Sequence, residues 1–227
     1  QGVVQPGIHH LYQAAVFIFL LLSSLFFDEA MLAAGRDRLA FSASGERLSV
    51  EDISSDSYFL SPRLSTLCDD GSNQYCLDWR IVASNQQKAD LLKQTISSVL
   101  DLWSPAGEIG LNHSWQENVI SVPLEDLNEN HFYVVLVDDS EASEKFDQAG
   151  KAILIEQFFN PRLSDLEADI IGSRILLDAR RLPSPLGNCS ENCLLLSGTT
   201  KVSLYAHLVQ AVGQAFFGLG ASVVESS

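Results

Sequence analysis

The chain has 227 residues, 46% of them hydrophobic, enough for a sizeable core, so a wholly disordered chain is excluded. Its 29 acidic residues outnumber 14 basic ones, for a formal net charge of -15 that repels phosphate backbones and argues against nucleic acid as a partner. None of these charges precedes Asp28, so the imbalance belongs to the downstream part, as a solvated face or as an acidic docking surface for a basic partner.

The first element is "LYQAAVFIFLLLSSLFF", Leu11 to Phe27, 17 residues of nearly pure apolar character. At about 1.5 Å per residue this approaches the ~17–25 residues needed to cross a bilayer. All faces are apolar, so the polar stripe of a surface helix is missing. Two readings fit: an uncleaved membrane anchor, or the apolar stretch of a signal peptide with "AMLAAG" as a small-residue cleavage region. The expectation adopted here is the anchor, a single transmembrane helix within residues 1–35. Phe17, Phe19, Phe26 and Phe27 would pack laterally against lipid and neighbouring membrane helices.

Arg36 and Arg38 follow the apolar run and no Lys or Arg precedes it. Counted alone, these two cations would place the downstream domain in the cytoplasm. The cysteines argue otherwise. Four occur, as two close pairs, "CDDGSNQYC" (Cys68, Cys76) and "CSENC" (Cys189, Cys193). Neither pair has the two-residue spacing of a zinc knuckle. Four cysteines allow three pairings, of which the local one, 68 with 76 and 189 with 193, is simplest. Small disulfide-closed loops belong to an oxidising compartment, so the expected location of the domain is periplasmic or extracellular.

Residues 36–78 are rich in Ser, Asp and Gly with little periodicity, and are expected to be a linker and a disulfide-stapled loop region. Residues 79–227 are expected to form an α+β domain. "DWRIVAS" (Asp78 to Ser84) reads as a strand. "NQQKADLLKQTISSVLDLW" (Asn85 to Trp103) reads as a helix, with Leu91, Leu92, Ile96, Val99, Leu100 and Trp103 on one face and Asn85 as N-cap. "ENVISVPL" fits a short strand. "HFYVVLVDD" (His131 to Asp139) is a continuously apolar, central strand. "SEASEKFDQAG" resembles a surface helix capped by Ser140, and "KAILIEQFFNP" is compatible with helix or strand. "ADIIGSRILLDAR" (Ala168 to Arg180) reads as a strand with a bulge at Gly172. A last helix, "KVSLYAHLVQAVGQAFFGLG", is stopped by Gly218 and Gly220. This order predicts an α+β fold, a mixed sheet packed with helices and preceded by one transmembrane helix.

The last helix carries the sharpest chemical question. A zinc-protease helix places His at i and i+4 on one face to hold the metal, with Glu at i+1 as general base. In "AHLVQAVG", Ala206 takes the first His position, His207 the Glu position, Gln210 the second His position, and Gly213 a later Gly. Alanine has no ligand atom and a carboxamide is a poor one. The frame that starts at His207 puts Leu208 at the base position and Ala211 at the second ligand. Neither frame holds a catalytic zinc. The competing reading is a plain core helix, with Leu204, Leu208, Ala211, Val212, Ala215 and Phe216 as its apolar face.

The strand "ADIIGSRILLD", a cysteine-bearing loop and then "LYAHLVQAVGQAFFGLG" resembles a bacterial zincin-like domain family of unknown function, secreted or membrane-anchored. In that family a strand precedes a helix reading roughly His-Glu-Leu-x-Gln-x-Leu-Gly. The resemblance carries Gln210 and Gly213 onto family positions, takes residues 85–139 as the amino-terminal half, and covers about two-thirds of the chain. The family's His and Glu are Ala206 and His207 here, so it implies a fold and not an activity.

Other chemistry is sparse. His9 and His10 precede the apolar run; His113, His131 and His207 could share a metal, although nothing in their spacing demands it. "VDDSE", with Asp138 and Asp139, fits a cation site or a strand running into a helix N-cap. Asn112-His113-Ser114 and Asn188-Cys189-Ser190 match glycan acceptor sequons, a pattern short enough to arise by chance. Nucleophile elbows, phosphate loops and dinucleotide fingerprints are absent. The sequence therefore predicts no catalytic residue, no metal and no cofactor. It predicts a membrane-anchored extracytoplasmic accessory subunit whose partners are membrane lipid and integral membrane proteins. The alternative is a metal-dependent hydrolase or other metal-binding enzyme using Asp138, Asp139 or His207.

Overall fold

The computed structural model describes residues 38–64, 67–69, 71, 74–103, 110–138, 140–191, 193–194 and 203–218. The expected anchor, with Phe17, Phe19, Phe26 and Phe27, lies outside them, as do His9, His10, Asp139 and Gly220. Among the described residues no helix is long and apolar enough to cross a membrane.

The described residues belong to one unit, an α+β fold with a mixed sheet packed with helices. The strands are β1 (Leu39–Phe41), β2 (Tyr58–Leu64), β3 (Tyr75–Ala83), β4 (Leu111–Ile120), β5 (Phe132–Val137), β6 (Ile153–Arg162) and β7 (Glu167–Asp178). The helices are α1 (Gln86–Trp103), α2 (Ser140–Ala149) and α3 (Leu204–Phe217). The path through the sheet is β1-β2-β7-β5-β3-β4, with β6 along the other side of β7. β3 runs parallel to β4 and β5, and β7 runs parallel to β5 and β2; β1 and β6 are antiparallel to their neighbours.

β7 organises the sheet because it is longer than either parallel neighbour. Its first part, Glu167 to Ile170, pairs with Ser61 to Leu64 of β2, and its last part, Ser173 to Asp178, pairs with Phe132 to Val137 of β5. The expected irregularity lies between these two stretches. The ladder with β6 shifts register between Phe158 and Phe159, opposite Gly172 and Ile170. A Cβ on Gly172 would lie 1.9 Å from the Glu129 carbonyl oxygen, so only glycine lets the chain before β5 pass there.

Side-chain alternation divides the core in two. Trp79, Ile81, Val134, Leu136, Ile175 and Leu177 face α1 and α3. Val82, Tyr133, Val135, Val137 and Leu176 face the other way, onto Phe146 of α2. Helix α1 buries Leu92, Ile96, Val99 and Leu100 of the predicted stripe together with Ala89, while Leu91 and Trp103 are half-buried; each large buried side chain contributes about 1.5–3 kcal/mol. Its N-terminus is capped as expected, the Lys88 amide donating to Asn85 Oδ1 at 3.0 Å.

Two local expectations differ from the structure, and one open alternative is decided by it. Residues 36–78 were expected as linker and loops, yet they supply β1, β2 and the start of β3, and β2 enters the main sheet. The strand read at "ENVISVPL" begins earlier, at Leu111, because the polar stretch before it is an edge strand. The ambiguous segment at 151–161 is strand β6. The cysteines pair locally, Cys68 with Cys76 and Cys189 with Cys193.

Candidate functional site

Helix α3 tests the motif position by position. Ser203 caps it, accepting the Ala206 amide on Oγ at 3.0 Å, and His207 donates Nδ1–H to the Ser203 carbonyl at 2.9 Å. The first ligand position and the base position are therefore the capped first turn of a packed helix. Gly213 is buried among Ala211, Val212 and Ala215, and Ala206, His207 and Gln210 are half-buried. The other end is also tied down. Gln157 of β6 donates its amide N–H to the carbonyls of Gln214 and Ala215, at 2.9 and 3.1 Å, both in the last turn; the Gln214 carbonyl also accepts the Gly218 N–H at 3.1 Å. Gly218 adopts φ 64° and closes the helix, as predicted.

The three candidate histidines are not brought together. His113 lies on the α1 side of β4. Its Nδ1 accepts the Trp79 indole N–H at 3.4 Å, and its Nε2 meets Asp101 of α1 at 3.0 Å. An indole nitrogen only donates, so the geometry assigns His113 the Nε2–H tautomer with both ring nitrogens engaged. His131 stands on the opposite face, 6.1 Å from the Tyr133 ring. His207 is in the capped turn of α3. Among the described residues no three His, Cys, Asp or Glu side chains form a group that could hold a metal ion.

The topology nominates a different place. β3 and β5 are adjacent and parallel, but α1 leaves β3 toward one face and α2 leaves β5 toward the other. The carboxyl ends of two such strands form a crevice where open sheets commonly receive ligands. Here the crevice is bridged. Lys88 of α1 donates to Asp138, the residue after β5, at 3.1 Å. Partial burial works to raise the Asp138 pKa, but hydrogen bonds from Ser84 and Lys88 and the Lys88 charge outweigh it and hold the pKa below 3.8.

The same rim continues toward β4. Asp90 accepts from Gln86 at 2.7 Å and from Asn118 at 3.2 Å. Ser121, at φ 54°, donates its amide to Ala83 at 3.1 Å. Its positive φ marks a constrained turn, since non-glycine residues seldom adopt it. Beyond β5, Arg180 clamps α2 to β7 through Asp147 and the buried Asp178, both at 2.9 Å. Asp138, Asp147 and Asp178 thus each meet a cation, and Asp90 meets two neutral amides, so a ligand at these groups would have to displace a partner. The sequence pointed to Asp138; Ser84, Lys88, Asp90, Asn118 and Ser121 carried no signal beyond being polar.

Comparison with known protein families, with curated proteins and with solved structures finds no significant match to this chain.

Proposed function

We propose that this chain is a non-catalytic, membrane-anchored, extracytoplasmic accessory subunit of a larger membrane protein assembly. The observation that carries the reading is the use made of α3. The turn that would present ligand and base in a zinc protease spends its polar atoms on capping, through Ser203, Ala206 and His207. Trp103 and Gln157 bind the same helix through main-chain carbonyls. These are the contacts of a structural strut, and they suit a degenerate descendant of a metalloprotease-type fold.

Two further features support an anchored domain. Leu39 of β1 pairs with Leu60 of β2, and a Cβ on Gly218 at the end of α3 would lie 2.7 Å from Pro62 of β2, so the first strand and last helix converge there. Tyr58 and Phe59, at the start of β2, are exposed apolar side chains, as is Leu166, whose carbonyl accepts the Ser61 amide at 3.0 Å. Exposed apolar side chains at one pole suit contact with lipid or a membrane partner.

The second reading, a metal-dependent hydrolase or other metal-binding enzyme, draws on Asp138 at the β3–β5 crevice. Elemental analysis of the intact protein separates the two. The proposal expects divalent metal at background levels. One tightly held ion per chain, removed together with a hydrolytic activity, overturns it.

A further inference from the structure

We propose that the chain is N-glycosylated at Asn112 and Asn188. The acceptor sequence alone is common, and the structure adds where its atoms lie. N-linked transfer needs an accessible carboxamide and an accessible hydroxyl two residues later. Asn112 and Ser114 are both exposed on β4, the Ser114 hydroxyl donating to Asp78 at the surface and accepting from Gln116, and residues two apart on a strand share a face. His113 between them turns inward, to Asp101 and Trp79, so the acceptor pair projects from the face away from α1 and α3. Asn188 and Ser190 are likewise exposed, in the loop after β7. The Asn188 and Cys189 amides donate to Ala179 and Leu182, at 3.3 and 3.1 Å, which pins the backbone of that loop.

Other asparagines are spent differently. Asn85 Oδ1 caps α1, Asn118 donates to Asp90, and Asn128 Oδ1 accepts the Asn130 amide. None of these three begins a sequon. The two disulfides supply the compartment, since N-linked transfer and disulfide formation both take place outside the cytoplasm. The inference to that extent rests on the extracytoplasmic reading. In the transfer, Asn Nδ2 forms a bond to the anomeric carbon of a polyprenyl-diphosphate-linked oligosaccharide. The bond from that carbon to the diphosphate oxygen breaks, the lipid diphosphate leaves with the electron pair, and the amide gives up one proton.

The two sites would do different physical work. Among the described residues β4 ends the strand path, pairing with β3 alone, and unprotected sheet edges invite pairing with other chains. A hydrated oligosaccharide at Asn112 would screen that edge. At Asn188 the acceptor adjoins Cys189, so closure of the Cys189–Cys193 loop competes in time with glycan transfer.

The test uses the full chain isolated from its own membranes, with and without peptide N-glycosidase, followed by peptide mapping and maleimide labelling of free thiols. The expected result is a mobility increase on digestion, conversion of Asn112 and Asn188 to Asp, and loss of one glycan step in each of Asn112→Gln and Asn188→Gln. Occupancy at one position overturns the assignment at the other. Absence of glycan at both overturns the inference. Blocked thiols in that case leave the extracytoplasmic reading standing, whereas four reactive thiols remove it as well.

Discussion

The Trp103 indole donates its N–H to the main-chain carbonyl of Val209 at 3.2 Å, joining the last turn of α1 to the middle of α3. Val209 lies one turn before the buried Gly213, whose amide is the usual intrahelical partner of the same carbonyl. Trp103 also meets the Phe217 ring at 5.5 Å between centroids. One side chain thus fixes α3 through both a polar and an apolar contact. Trp103→Phe keeps most of the ring and removes the donor, and is expected to cost about 1 kcal/mol in urea denaturation. An unchanged midpoint would show that the carbonyl is satisfied without the indole.

Gly172 is the second point of leverage. A methyl group placed there meets the backbone oxygen of Glu129 at 1.9 Å, and backbone cannot rotate away as a flexible side chain would. Gly172→Ala is expected to destabilise the domain by about 2–3 kcal/mol as β5 and β7 are forced apart. Thermal melts monitored by far-ultraviolet circular dichroism read this directly. A variant as stable as the wild type would place the Glu129 segment elsewhere.

The Cys68–Cys76 bridge ties the start of β3 to the segment before it, where the Cys68 amide also bonds to the Gln74 carbonyl at 2.9 Å. Closing a loop of that length in the unfolded chain is worth about 2–3 kcal/mol. The double variant Cys68→Ser, Cys76→Ser should lose that amount in urea denaturation, and reduction of that variant should add no further loss from this loop; a variant as stable as the oxidised wild type would contradict it.

The Lys88–Asp138 pair has a defined pH signature. The carboxyl pKa is held below 3.8 in the folded state. Stability from the ionised group is therefore fully present above 3.8 and is lost as pH falls through the folded value. Asp138 is more than a third exposed, so solvent screening limits the pair to a fraction of a kcal/mol. The stability difference between wild type and Lys88→Met is expected to shrink as acid is added below pH 3.8. A difference that grows with acid would reverse the sign of the interaction.

Much of this fold was legible where one period dominated. The stripe Leu92, Ile96, Val99, Leu100 marked α1, and the unbroken apolar run of Phe132 to Val137 marked a central strand. β2 was hidden because it is short, flanked by Ser and Asp, and joined to residues about a hundred positions away, Arg63 reaching Glu167 and Asp169. The amino-terminal part of β4 was hidden because an edge strand carries polar side chains. Asp138 could be singled out from the sequence, but its partner lies fifty positions earlier, and the crevice exists only because α1 and α2 take opposite faces. The motif comparison placed Ala206 and Gln210 where a zinc-protease helix would carry its ligands; it could not foresee Trp103 and Gln157 anchoring α3.

The most direct test of the proposed role is the composition of the particle released from native membranes by mild detergent. The account predicts that the chain migrates with a fixed set of integral membrane proteins in constant ratio. Replacing Phe17, Phe19, Phe26 and Phe27 together by Leu should keep it in the membrane fraction but detach it from that set. A chain recovered alone, or found in the aqueous fraction without detergent, would contradict the account.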